Sequence, residues 1–150
     1  MSDYYVKIIP DKPYCHVDAQ AAEKVRSYLE ECMSAMSATV EMHEMPAFVD
    51  SGAYLQEIAC PYCGSDRWDW WGDAMDEAAG EYGLFAKLDK KMLPCCGGWA
   101  SLNDLKYDYP CGFACTEIIL LNPREQIQQI HIETVEQMLG MHIKVIYSRL

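Results

Sequence analysis

Positive charge is in short supply in this chain. Twelve Lys and Arg stand against 23 Asp and Glu, which leaves a formal net charge of −11. A surface that acidic repels nucleic-acid phosphate and anionic lipid headgroups, which argues against nucleic acid or a membrane as partner. It suits a basic protein partner, and equally a plain solvated surface. Long apolar runs are missing too, since none approaches the ~18 residues of a membrane span. The opening MSDYYVKIIPDK has no basic stretch, apolar core or small-residue cleavage site, unlike a secretory signal. The expectation is therefore a cytoplasmic protein, in a compartment where thiols stay reduced. A glycine-rich phosphate loop, a Gly-x-Ser-x-Gly elbow and a Ser/His/Asp arrangement are all absent. Carboxylate pairs abound, but none marks an acid–base couple, so no catalytic residue is assigned.

What the chain does have is cysteine. Eight Cys in a reducing compartment point to metal or reactive thiols before disulfides. The run CPYCG, Cys60 to Gly64, has the two-residue gap and the trailing glycine of a zinc knuckle. In such a turn the glycine lets the chain bend, and backbone amides point at the thiolates. Its partner is LPCCGG, Leu93 to Gly98, where Cys96-Gly97 matches the second half of a knuckle. The position of a first knuckle cysteine falls there on Leu93. The fourth ligand is then the adjacent Cys95, one of Cys111 and Cys115 in CGFAC, or a His. Cys60, Cys63, Cys95 and Cys96 form an all-cysteine set with 31 residues between the pairs, a gap that an inserted helix absorbs. A complete four-thiolate sphere leaves no place for water, so the Zn2+ is structural on this reading. An iron–sulfur cluster is the minor alternative, and buried reduced thiols are the bland one.

Hydrophobic patterning supplies the frame. YYVKII alternates as a first strand before Pro10 stops it. Asp18 caps a helix whose apolar stripe is Ala22, Val25, Leu29, Cys32, Met33 and Met36. A second strand follows in SATVEMHEM, with Val40 and Met42 on the inward side. FACTEIILL reads as a buried strand. Asn122, Pro123 and Glu125 then form the start of a second helix, with a capping box. Its face is Ile127, Ile130, Thr134, Val135, Met138 and Leu139, and Gly140 ends it. HIKVIYSRL is the last strand. The order βαβ…βαβ predicts an α+β fold: a ferredoxin-like βαββαβ sheet with two helices on one face, from residues 1–45 and 111–150. Residues 46–110 are too long for a loop and read as a zinc-ribbon-like insertion between strands two and three. With 11 acids and 5 bases the insertion is no basic arm. It holds a short helix over Gly72 to Tyr82.

Several features have two readings. Cys15-His16 precedes the first helix, where a thiol gains acidity, yet a single loop cysteine is more often packed than reactive. Met33, Met36, Met42 and Met45, with His43, could bind copper, but core filling explains them better. In RWDWWGD, Arg67 to Asp73, the residues Trp68, Trp70 and Trp71 are either an interaction hot spot or the core of a small metal-clipped insertion. Burial of two of the three is expected. His131 reads as a surface residue, and His142 has no carboxylate partner in view.

The words CPYCGSDRW, LPCCGGWASLNDLKYDYPCGFA and NPREQIQQI resemble a group of uncharacterised bacterial zinc-ribbon proteins, over residues 55 to 150. The resemblance is most specific in CPYCG, LPCCG and SLNDLKY. It implies a bacterial, cytoplasmic zinc protein with Cys60, Cys63, Cys95 and Cys96 as ligands, and says nothing of activity. Two functions follow as expectations. The first is a non-enzymatic, zinc-stabilised interaction module, an acidic immunity- or inhibitor-type protein covering a basic partner. The alternative is a thiol-dependent enzyme or redox protein using Cys15, Cys111 or Cys115. An uncovered edge strand also allows a homodimer.

Overall fold

The computed structural model of the chain describes residues 3–66 and 68–149. Met1 and Ser2 of the opening, Arg67 of the aromatic run and Leu150 of the last strand lie outside them. The fold is α+β, with mostly antiparallel sheets.

Strand β1, Tyr4–Pro10, is followed by helix α1, Ala19–Cys32. Asp18 caps α1 as its position predicts: its carboxylate accepts from the Ala21 N–H at 3.0 Å. Strand β2 spans Ser37–Val49. The middle of the chain contains β3 (Ile58–Ala59), α2 (Trp68–Ala78), β4 (Lys91–Met92), β5 (Trp99–Ala100) and β6 (Lys106–Tyr107). Strand β7, Gly112–Leu121, helix α3, Gln129–Leu139, and strand β8, Ile143–Arg149, close the chain. The main sheet has the order β2-β7-β1-β8, and every neighbouring pair is antiparallel.

The helices bury one apolar set against this sheet. Val6, Ile8, Ile118 and Leu120 from the strands meet Val25, Leu29, Met33 and Val135 from α1 and α3. Each such side chain, taken fully out of water, is worth about 1.5–3 kcal/mol. The stripe on α1 is narrower than its periodicity suggests. Ala22, Val25, Leu29 and Met33 are buried, but Cys32 and Met36 are exposed, Met36 at 72%. The helix stops at Cys32, and Ser34 turns left-handed at φ +49°, so the 3.6-residue period no longer governs Met36. Met42 and Ile130, also assigned inward, are exposed.

Two boundaries differ from the sequence reading for a physical reason. Asn122 does not cap the second helix. It ends β7 in a left-handed turn, φ +46°, where its side chain accepts from the Tyr4 N–H at 3.0 Å and donates to Asp3. The N–H groups of Arg124 and Glu125 then donate to the Met33 carbonyl at 2.9 and 3.1 Å. NPRE therefore closes the C-terminus of α1, a use of backbone donors that a capping-box pattern cannot distinguish from the start of a helix. α3 begins only at Gln129, where His131 Nδ1 accepts from the Gln128 N–H at 3.0 Å. Gly140 ends α3 in the left-handed conformation, as expected. The second boundary concerns β2, which continues beyond SATVEMHEM. After an irregularity between Met42 and Ala47, it pairs Ala47, Phe48 and Val49 with Ala114, Phe113 and Gly112.

That extension joins the middle segment to the sheet. Phe113 packs against Phe48 and Phe85 with ring centroids 5.1 and 5.0 Å apart. Around them lies a second core of Ile58, Ala74, Leu93, Leu102 and Leu105. Tyr14, from the loop after β1, adds a polar tie: its hydroxyl accepts from the Leu88 N–H at 2.7 Å and donates to the Ala86 carbonyl.

Candidate metal centre

Two short turns build the site, and they are copies of each other. In the first, the Gly64 N–H donates to the Cys60 carbonyl at 3.1 Å and the Cys60 N–H to the Ser65 carbonyl at 2.9 Å. In the second, the Gly97 N–H donates to the Leu93 carbonyl at 2.9 Å and the Leu93 N–H to the Gly98 carbonyl at 2.8 Å. Gly64 and Gly97 have the same left-handed φ, +75° and +74°, which only glycine adopts without strain. Leu93 thus holds the place of Cys60, and Cys96 that of Cys63. Leu93 is fully buried in the second core, so that place in the second turn is given to packing. Cys95 supplies the remaining sulfur from the position that Tyr62 occupies in the first turn.

The structure brings Cys60, Cys63, Cys95 and Cys96 together, with their Sγ atoms all within 4.8 Å of one another. Cys60 and Cys96 are 3.7 Å apart, and Cys95 and Cys96 are 3.9 Å apart. For a metal–sulfur bond of ~2.3 Å, a tetrahedron has edges of about 3.8 Å. The donor set therefore fits one tetrahedral ion. All eight cysteines are free thiols. Backbone donors already point at the sulfur cluster from the first turn, where the Tyr62 and Cys63 N–H groups reach Cys60 Sγ at 3.4 and 3.5 Å.

The thiols are poised unequally. The Ser65 hydroxyl, 3.2 Å from Cys63 Sγ, and the Ser65 backbone bring the Cys63 thiol down to about 6. Burial pushes Cys60 up, but the N–H groups of Cys63 and Tyr62 outweigh it and leave the thiol lowered. Burial, with proton sharing among Cys63, Cys60 and Cys96, pushes Cys95 up to about 12. Four thiolates at this spacing repel one another, and a divalent cation is what lets all four ionise together.

The surroundings lock the two turns together. The Tyr62 ring lies across Gly98, where an added Cβ would come within 2.6 Å of it. Its hydroxyl donates to the Trp99 carbonyl at 2.5 Å. Helix α2 starts just past the first turn, with Asp66 accepting from the Trp68 N–H at 2.9 Å. It begins four residues earlier than Gly72, so the aromatic run is helical. Two of its three Trp face the core. Trp70 and Trp71 pack on the second core, and Trp71 Nε1 donates to the Tyr107 hydroxyl at 3.1 Å. Trp68 is 43% exposed. Trp99, which the sequence reading left out of the candidate surface, is 57% exposed, and Tyr62 and Met92 are exposed nearby in sequence to the knuckles. Its only signal was its place directly after the knuckle glycines.

The other candidate thiols lie outside this group. Cys111 is buried, donates to the Tyr109 carbonyl and contacts Ser51 Oγ at 3.3 Å, and burial raises its pKa. Cys115 is buried against the Pro13 carbonyl, and burial raises it as well. Cys15 is half-buried in the loop after β1. Met33 is core, whereas Met36, Met42 and Met45 are exposed. His142, which looked unpaired, has Glu136 Oε2 at 3.0 Å from its Nδ1.

Compared with family models, with curated proteins and with solved structures, the chain gives no match. No helix among the described residues is long and apolar enough to cross a membrane.

Proposed function

We propose that the chain is a non-enzymatic protein-interaction module whose middle segment is stapled by a structural Zn2+. The single observation that carries this reading is the donor set: four thiols within 4.8 Å of one another, with Cys60–Cys96 and Cys95–Cys96 at 3.7 and 3.9 Å, fill a tetrahedral sphere and leave no position for a substrate or water. Zinc is the ion of choice for such a set because tetrahedral all-sulfur coordination suits it and it brings no redox chemistry. The order β2-β7-β1-β8 supports a ferredoxin-like core, since it is the arrangement that a split βαβ unit takes. The paired turns support a zinc-ribbon-like insertion and the likeness to bacterial zinc-ribbon proteins. Eight free thiols suit the reducing cytoplasm.

The partner on this reading is a basic protein, met as an immunity or inhibitor protein meets its target. A net charge of −11 steers such a partner, and exposed Trp68, Trp99 and Tyr62 give it apolar anchors. The thiol-dependent alternative has weaker support, because burial holds Cys111 and Cys115 away from the thiolate. The test is affinity capture with identification of the bound protein, followed by association rates at 50 and 500 mM salt. A basic partner whose on-rate falls at least tenfold supports the reading. A partner bound with no salt dependence, or turnover of a thiol substrate, overturns it.

A further inference from the structure

The main sheet carries a second group of metal-type ligands, far in sequence from the knuckles. Glu41 and His43 sit two apart on β2, so the pleat aims both side chains to one side. Glu117 on β7 is the direct cross-strand partner of Glu41. One donor atom from each of the three lies within 4.8 Å of the others, and His43 Nε2 is 3.7 Å from Glu117 Oε2. His43 lies in the stretch between Met42 and Ala47 where the register of β2 against β7 shifts.

The environment is what makes the group more than surface acid. Glu117 is buried, with its side chain only 9% exposed; burial, and then the Glu41 charge, push its carboxyl up, against the opposing pull of Lys7 and His43. Burying a carboxylate is costly, and placing a second one directly opposite adds repulsion. Lys7, on the next strand, turns its ammonium to Asp50, 3.3 Å from the carbonyl and 3.9 Å from the carboxylate. His43 stands within ion-pair range of Glu117, its Nε2 3.7 Å from Oε2. A cation between the three side chains would satisfy both carboxylates and use the imidazole as a neutral ligand.

We propose that Glu41, His43 and Glu117 form a second divalent-cation site, distinct from the four cysteines. Its donors are one nitrogen and two oxygens, which suit zinc, cobalt or manganese. Three protein ligands leave coordination positions for water, so this ion exchanges whereas the knuckle ion does not. Glu117 supplies the anchored ligand from inside the sheet, and the exposed Glu41 and half-exposed His43 close over the ion from the edge strand.

The test uses the intact protein with its knuckle ion in place. Co2+ is titrated in, with native mass spectrometry for stoichiometry and absorption spectra for donor type. The expected result is one additional Co2+ per chain, without the sulfur-to-metal band that thiolate ligation would produce. His43→Ala and Glu41→Gln, both at accessible positions, should each weaken that binding at least tenfold. Glu133→Gln, on the exposed side of α3, should leave it unchanged. Glu117→Gln should abolish it, with the thermal transition recorded to show that the sheet remains folded. No additional ion, or one that persists equally in His43→Ala and Glu41→Gln, overturns the proposal.

Discussion

At the scale of single residues, the four clustered thiols are separable from the other thiols by where each sulfur sits. Cys63→Ser and Cys96→Ser should each lose the tightly held ion, and Cys111→Ala should keep one ion per chain, as metal analysis of purified protein would show. The contrast follows from geometry: Cys111 hydrogen bonds with Ser51 and Tyr109, outside the group of four. Gly98 offers a second check. A methyl group there would collide with the Tyr62 ring, which is itself fixed on Trp99, so Gly98→Ala should cost about 1–3 kcal/mol. A denaturant midpoint measures this, and Tyr62→Ala in the same chain should recover part of the loss. Glu136 makes a prediction in pH. The Ile143 N–H, then His142, hold its carboxyl below the usual carboxylate range. A lowered carboxylate stabilises the fold above its unfolded value, about 4.3, and loses that contribution as pH falls through the folded value. The difference in thermal midpoint between wild type and Glu136→Gln should therefore be present at pH 6 and shrink as pH falls below about 4.3.

At the scale of elements, α1 depends on one cap and one narrow stripe. Asp18→Ala removes the acceptor for the Ala21 N–H and should cost ~1 kcal/mol. Leu29→Ala should cost about 2–5 kcal/mol, because Leu29 is buried among Val25, Met33 and the sheet. Urea unfolding of the two variants measures the contrast. The elements also show what local pattern can and cannot reveal. Alternation in YYVKII, the α1 period at Ala22, Val25 and Leu29, and the stop at Gly140 reflect near-neighbour physics and were legible. NPRE was misread because the groups it satisfies, at the Met33 carbonyl, lie some 90 residues away in the chain.

At the scale of the whole molecule, metal removal should act unevenly. The second core is built around the knuckles but shares Phe48 and Phe113 with the sheet. Chelation should expose Trp70 and Trp71 and shift tryptophan emission to the red. The helix–sheet core of Val6, Leu29, Ile118 and Leu120 has no metal-linked residue and should retain its helical signal. Loss of both signals together would show instead that the shared phenylalanines make the chain one cooperative unit.

Within the knuckles, sequence alone determined a great deal. Two-residue cysteine spacing and trailing glycines specify a turn whose hydrogen bonds are local, and the equivalence of Leu93 with Cys60 follows from those same spacings. It also determined the acidic charge and the α+β class, which depend on counts and periods. Tertiary structure alone decided that Cys95, rather than Cys111, Cys115 or a histidine, meets the other three sulfurs. The same holds for Glu41, His43 and Glu117, since Glu117 is brought there by strand pairing across 76 residues of chain. The physical reason is common to both: a ligand set is defined by distances in space, and only chain closure through the packed cores sets those distances for residues that are not neighbours in sequence.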